Sequence, residues 1–394
     1  MSVISLKAAR IDSISQSLEK FIEDGQLAGV ATLIAQDGEI IHGDSHGYRN
    51  INSNIPIKLD TIFRIFSMTK PIVSAALMIL YEQGKFDTQD PLSNFIPEYK
   101  NIKVFDKSGK HVDARNEIAI VDLLTHSAGL TYGDSGNQIL DDHYEQADLF
   151  NEDISLKEMV QRIANLPLMY HPGEGWHYGV ATDVIGHLIE ILSGMRLENF
   201  LKEKIFEPLG MTDTGYFVQP HNQDRLSVLY TLNSEDKLVE VDDSIGGSYT
   251  KEIQLHPGGS GLVSTLIDYY KFCQMLQNYG KYKGDQILSS NTIKLMTRNS
   301  INESLFPISY NGLKNEPLMG IGFGLGFRVI TNINHSGLMG NDGSYGWGGM
   351  ANTMFWVDPK EKLIAILMAQ CTTDDVHPIR PAFHSLVYES IKSS

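Results

Sequence analysis

Polar and apolar positions along this 394-residue chain change period several times, and each change predicts an element. The opening stretch MSVISLKAARIDSISQSLEKFIEDG reads as a polar amphipathic helix. GVATLIAQDGEIIHG then shows two β-rich runs joined at Asp37-Gly38, a strong hairpin signal. From Ser67 to about Gly210 helical spacing dominates. Ser155 and Glu158 form a capping box, ATDVIGHLIEILSG carries apolar residues three and four apart, and Pro208 is expected to close the helix in RLENFLKEKIFEP. Beyond it, STLIDYYKFCQMLQNYG reads as a helix stopped at Gly280. GFGLGFRVI, GGMANTMFWVDP and LIAILMAQ read as strands, with a turn at Asp358-Pro359-Lys360-Glu361, and a last helix covers about 380 to 391. Strands at both ends with helices between them predict an α+β fold. One antiparallel sheet is built from both chain ends, flanked by helices and carrying a large helical insertion. Residues 1–63 and 218–394 are expected to form the sheet domain and 64–217 the mostly helical one, with the functional site between them.

Composition narrows the partners. A hydrophobic content of 42% supports a large core, and a formal charge of −16 without any Lys/Arg run excludes the basic footprint that nucleic acid or an anionic membrane requires. A small molecule remains. No apolar run approaches the roughly 20 residues that span a bilayer. The first residues lack the basic start and apolar stretch of a signal peptide, so the expected location is cytoplasmic. Cys273 and Cys371 lie far apart, Cys273 in an apolar helical pattern, and buried free thiols are expected.

Ser-x-x-Lys occurs four times, at Ser17/Lys20, Ser67/Lys70, Ser234/Lys237 and Ser248/Lys251. A nucleophilic serine needs a base in reach and N–H groups aimed at a developing oxyanion, and the first turn of a helix supplies free N–H groups. Pro71 is tolerated only near a helix start, so a helix begins around Ser67 with Lys70 one turn on, on the same face. The following PIVSAALMILYEQG is apolar almost all round and must be buried. Ser17/Lys20 falls on a polar helix and Ser234/Lys237 in a turn-like stretch. Ser248/Lys251 falls where a strand would point the two side chains to different faces.

Two rival sites are weaker. GDSHG at 43–47 matches a Gly-x-Ser-x-Gly nucleophile elbow, but no helical pattern follows Ser45, as that motif requires. HPGEGWH spaces His171, Glu174 and His177 three apart, like metal ligands on a helix, yet Pro172, Gly173 and Gly175 make it a loop, and no metal is expected. GIGFGLGFRV alternates glycine too regularly for a phosphate loop and reads as a strand approached closely by other backbone.

SMTK before a buried helix, PGEGWHYGVATDVIGHLIE and GWGGMANTMFWVDP, with LLTHSAGL, IFEPLGM and GGSGLVST in the expected order, resemble the serine β-lactamase and penicillin-binding superfamily. The class C branch and the related family VIII carboxylesterases are most similar, over nearly the whole chain. The resemblance implies that Ser67 is the acylated nucleophile, that Lys70 assists proton transfer and that Tyr178 is the partner base. A phenol with a pKa near 10 needs a neighbouring cation to serve as a base at neutral pH, and Lys70 is the candidate. By the same mapping the N–H groups of Ser67 and Met350 form the oxyanion hole, and Trp347, Gly348, Gly349 and Tyr132 bind substrate.

Two positions depart from the lactamase pattern. Trp347-Gly348-Gly349 stands where lactamases carry Lys-Thr-Gly, as in family VIII esterases, and Val180 stands where many carry asparagine. An indole offers apolar area and one neutral donor in place of a cation, with His335 the candidate surrogate. These changes imply a cofactor-independent carboxylesterase acting on small neutral esters through an acyl-enzyme. The alternatives are a β-lactamase or D-amino-acid peptidase, or an acyltransferase using the same intermediate. A binding protein that keeps the fold without catalysis is disfavoured by the intact Ser67, Lys70 and Tyr178.

Overall fold

A computed structural model describes residues 3–105, 109–241, 249–309, 317–373 and 377–391. Its centre is an eight-stranded antiparallel sheet. In chain order the strands are β1 (Gly29–Gln36), β2 (Glu39–Asn50), β3 (Ile55–Pro56), β4 (Ile321–Phe323), β5 (Arg328–Ile330), β6 (Tyr345–Gly348), β7 (Met354–Asp358) and β8 (Leu363–Ala369). Their spatial order is β4-β5-β6-β7-β8-β1-β2-β3. The two chain ends meet where β1 pairs with β8, from Val30 opposite Ala369 to Gln36 opposite Leu363. Both strands are apolar on both faces, as a central strand covered on each side must be. Ala31, Leu33, Ile364 and Ile366 join the large core beneath the helix Leu266–Gln277, while Val30, Ile34, Leu363 and Ala365 pack with Ile14, Leu18, Phe383 and Val387 on the other face. Those last four come from helix α1 (Val3–Glu23) and the C-terminal helix Ile379–Ile391.

Local signals are obeyed where a turn or cap decides them. Asp37 and Gly38 take φ of 53° and 87°, the left-handed pair a two-residue hairpin needs, and the Ser155 side chain accepts the Glu158 N–H at 3.1 Å. Three expectations change. GFGLGFRVI is a tight hairpin, β4 and β5, closed by the Gly324 N–H donating to the Phe327 carbonyl at 2.8 Å. A Cβ at Gly326 would collide with the Ser74 hydroxyl, so this turn presses on the helix that begins at Thr69. GGMANTMFWVDP likewise divides, residues 349–353 linking β6 to β7. Pro208 lies inside its helix rather than ending it. The chain passes through a π-helical turn at Lys202–Phe206, absorbs the proline at the start of Glu207–Leu209 and stops at Gly210, whose φ is 66°.

Cys273 and Cys371 are both buried free thiols. Among the described residues no helix is long and apolar enough to cross a membrane.

Candidate active site

Ser67 lies in a 3-10 turn, Phe66–Met68, that runs directly into helix α2 (Thr69–Glu82). The residue before it, Phe66, is held at φ 43°, a region a bulky side chain avoids at a cost of about 1–3 kcal/mol. Burial of its ring with Leu229 and Ala351 holds it there. In α2 every residue from Thr69 to Met78 is buried, so Lys70, 1% exposed, is carried into the interior by a helix that cannot rotate without exposing its core face.

The ammonium of Lys70 has three oxygens around it. It donates to the Gly259 carbonyl at 2.7 Å and to the Tyr132 hydroxyl at 2.8 Å, and stands 3.4 Å from Ser67 Oγ. Burial lowers its pKa to about 7, and the carboxylate of Asp183 opposes that fall. Near neutral pH an appreciable share is therefore a free amine beside the serine.

Tyr178 enters from the loop ahead of helix α3 (Ala181–Ser193). A Cβ at Gly179 would stand 2.5 Å from the Leu130 carbonyl, so only glycine lets this loop press against Leu130-Thr131-Tyr132. The ring of Tyr178 lies 5.6 Å from that of Tyr132, 5.2 Å from Trp347 and 4.9 Å from His126. Lys70 Nζ sits 4.6 Å from its ring centre, over the π face. The expectation that Lys70 brings the phenol down meets a different balance. Burial dominates and pushes Tyr178 above the ordinary tyrosine value, against hydrogen bonds from Ser67, Trp347 and Tyr132 that act the other way.

The third motif borders the Ser67 turn. A Cβ at Gly349 would strike both the Ile65 carbonyl and Thr353 Oγ1, so strand β6 and its following turn approach the Ser67 segment as only glycine permits. Met350 comes next in that turn, and Trp347 is half-buried between Tyr178 and Phe323. His335 is exposed on a short helix, Ile333–Ser336. Arg380 lies against the third motif. Its guanidinium donates to the Gly349 carbonyl, and a Cβ at Gly348 would stand 3.0 Å from its Nη1. The lysine of the lactamase motif is thus missing while a cation, from the C-terminal helix, lies beside the strand. No nearby sequence signal announces it, because Arg380 is 31 residues from Gly349.

The rival sites take structural roles. Ser45 lies within β2 and is followed by more strand. In the 171–177 loop, the His171 ring accepts the Arg115 N–H, Glu174 pairs with Arg115 and His177 with Asp134. Among the described residues no group of three His, Cys, Asp or Glu could hold a metal ion. Ser17 bonds its own helix backbone, and Lys237 pairs with Glu235 in an exposed turn. Ser248 lies outside the described residues. Two residues were not singled out from sequence. His126, in LLTHSAGL, is buried with φ 59° against the Tyr178 ring, and burial, with the charge of Lys70, holds its pKa well below normal. Asp183 is buried in the first turn of α3. An acidic residue in the first turn of ATDVIGHLIE, among its apolar positions, was the available signal.

Helices on an antiparallel sheet, with a serine and a buried lysine at a helix start, define the β-lactamase/transpeptidase class. The beta-lactamase family model matches residues 14–388, and the chain belongs to that family, whose relatives include esterases. The Mycobacterium tuberculosis protein Rv1367c is 32% identical over 372 residues, 92% of this chain and 91% of its own length. Esterase EstB from Burkholderia gladioli is 30% identical over 211 residues, 53% of this chain and 51% of EstB. Among solved structures, EstCE1, described as a hydrolase with promiscuous acyltransferase activity, superposes with a TM-score of 0.81 at 24% identity, covering 98% of this chain and 99% of EstCE1.

Proposed function

We propose that the protein is a serine carboxylesterase that forms an acyl-enzyme on Ser67. The observation that carries this reading is the 3.4 Å approach of Ser67 Oγ to a lysine whose pKa burial lowers to about 7. Ser67 Oγ attacks the ester carbonyl carbon and its proton passes to neutral Lys70. The carbonyl oxygen takes the negative charge and accepts the N–H groups of Ser67 and Met350. Collapse of the tetrahedral adduct breaks the acyl C–O bond, and the departing alkoxide takes a proton returned through the Lys70–Tyr132–Tyr178 cluster. Tyr178, kept protonated by burial, suits this donor step better than a resting phenolate. Water then attacks the acyl carbon and releases the acid, regenerating Ser67. An alcohol in place of water would give acyl transfer, and the description of EstCE1 favours testing for it.

Aromatic surface from Trp347 and Tyr178 flanks the serine, and Arg380 is engaged by main chain at Gly349, which supports neutral esters as substrates over carboxylate-bearing β-lactams. A panel of p-nitrophenyl esters run beside a chromogenic cephalosporin tests this. Higher kcat/KM on p-nitrophenyl butyrate is expected. Faster cephalosporin hydrolysis would replace the esterase reading with a lactamase one.

A further inference from the structure

Asp183 has no place in the steps above, yet its surroundings are built around it. It is fully buried in the first turn of α3, where a carboxylate needs hydrogen bonds or a cation. Oδ1 accepts the Gly259 N–H at 2.8 Å, and the carbonyl of that same Gly259 accepts the Lys70 ammonium at 2.7 Å. One peptide residue thus joins the carboxylate to the lysine. The loop has no slack. A Cβ at Gly259 would stand 2.8 Å from Asp183 Oδ2 and 3.2 Å from the Tyr132 hydroxyl, and one at Gly258 would strike the Thr182 carbonyl.

The other polar groups facing this pair leave the charge relationship simple. Tyr132, Tyr178 and Ser67 face Lys70, and His126 is kept neutral by burial and by the lysine charge. Tyr99 and Tyr216 feel the Asp183 charge, and burial keeps both protonated. Among the described residues Asp183 is the one carboxylate shown acting on Lys70.

We propose that Asp183 is a positioning residue for Lys70: it fixes the Gly259 carbonyl that orients the ammonium, and its buried charge decides how readily that ammonium gives up its proton. Burial raises the Asp183 carboxyl pKa while the lysine charge holds it back. The inference rests on Lys70 acting as proton acceptor.

Asp183→Asn keeps an acceptor for the Gly259 N–H and removes only the charge. Without that anion the Lys70 ammonium loses stabilisation and its pKa falls. The acid limb of kcat/KM for p-nitrophenyl butyrate should therefore move to lower pH, by about one unit. Asp183→Leu removes the acceptor as well and should lower kcat at least about tenfold with KM little changed. A uniform loss in Asp183→Asn with an unmoved limb would mean ordinary packing and overturn the proposal. Should Asp183→Asn not fold, Gly259→Ala displaces the carboxylate from outside, and the same downward shift is expected, an unmoved limb again overturning it. Wild-type protein run in parallel separates the two levels. If it shows an acid limb and fluorophosphonate labelling at Ser67 while the variant limb stays put, the role of Asp183 falls alone. If the wild type shows neither, the esterase reading and this one fall together.

Discussion

Ser17 with Lys20 and Ser67 with Lys70 share a spacing and a helical setting, and differ in almost everything else. On α1, Ser17 is half-buried and returns its hydroxyl to the Ser13 carbonyl one turn back, while Lys20 is exposed at the end of the helix. At α2, the lysine is 1% exposed, its ammonium is surrounded by Ser67, Tyr132 and Gly259, and two aromatic rings lie within cation–π reach. Water levels the first pair to an ordinary serine and lysine. Desolvation gives the second a base near pH 7. What separates the two pairs is therefore the apolar helix that carries one of them inward, and the distant residues that receive it.

The sharpest way to break this comparison is to exchange the serines. Ser67→Ala should lower ester turnover by about 10⁴-fold or more, and Ser17→Ala should leave it unchanged, as measured by steady-state hydrolysis of p-nitrophenyl butyrate. Next come Lys70→Ala and Tyr178→Phe, each expected to cost about 10²–10⁴-fold. If the two act in one proton-transfer unit, the double variant should lose little more than either single one, and multiplicative losses would show that they work separately.

The pH profile has a determined sign. Lys70 must be neutral to accept the serine proton, so kcat/KM should rise through about pH 7 and fall away as the amine protonates below it. An acid limb near pH 10 would mean that the lysine is not desolvated as the structure has it.

Smaller effects test the supports. Gly349→Ala pushes a methyl into the Ile65 carbonyl and Thr353 Oγ1, and should cost about 1–3 kcal/mol in a denaturant titration, with reduced turnover as the nucleophile turn is displaced. Trp347→Lys should shift the ratio of ester to cephalosporin hydrolysis toward the cephalosporin, although loss of the indole contact with Tyr178 lowers both. Lys20→Ala should change melting by no more than about 0.5 kcal/mol and activity not at all.

Much of this arrangement is legible in the sequence wherever a short stretch decides it. The Asp37-Gly38 hairpin needs only its own left-handed pair, and the burial of α2 follows from PIVSAALMIL being apolar all round. The split of GFGLGFRVI into two strands was not legible, because alternating glycine fits a strand as well as a turn, and the Ser74 contact that fixes the bend is made from far along the chain. The site divides the same way. Ser67 and Lys70 are neighbours on one helix, whereas the oxygens that hold the ammonium come from 62 and 189 residues away. Tertiary burial also reverses the direction expected for the Tyr178 phenol, a balance no local pattern encodes.

The central claim is that a desolvated lysine makes Ser67 the residue that carries the acyl group. Rapid acid quench of the protein with p-nitrophenyl butyrate, followed by peptide mass spectrometry, tests it directly. The expected result is a butyryl adduct on the peptide containing Ser67, absent from Ser67→Ala and diminished in Lys70→Ala. An adduct on Ser45 or Ser17, or full turnover by Ser67→Ala, would contradict it.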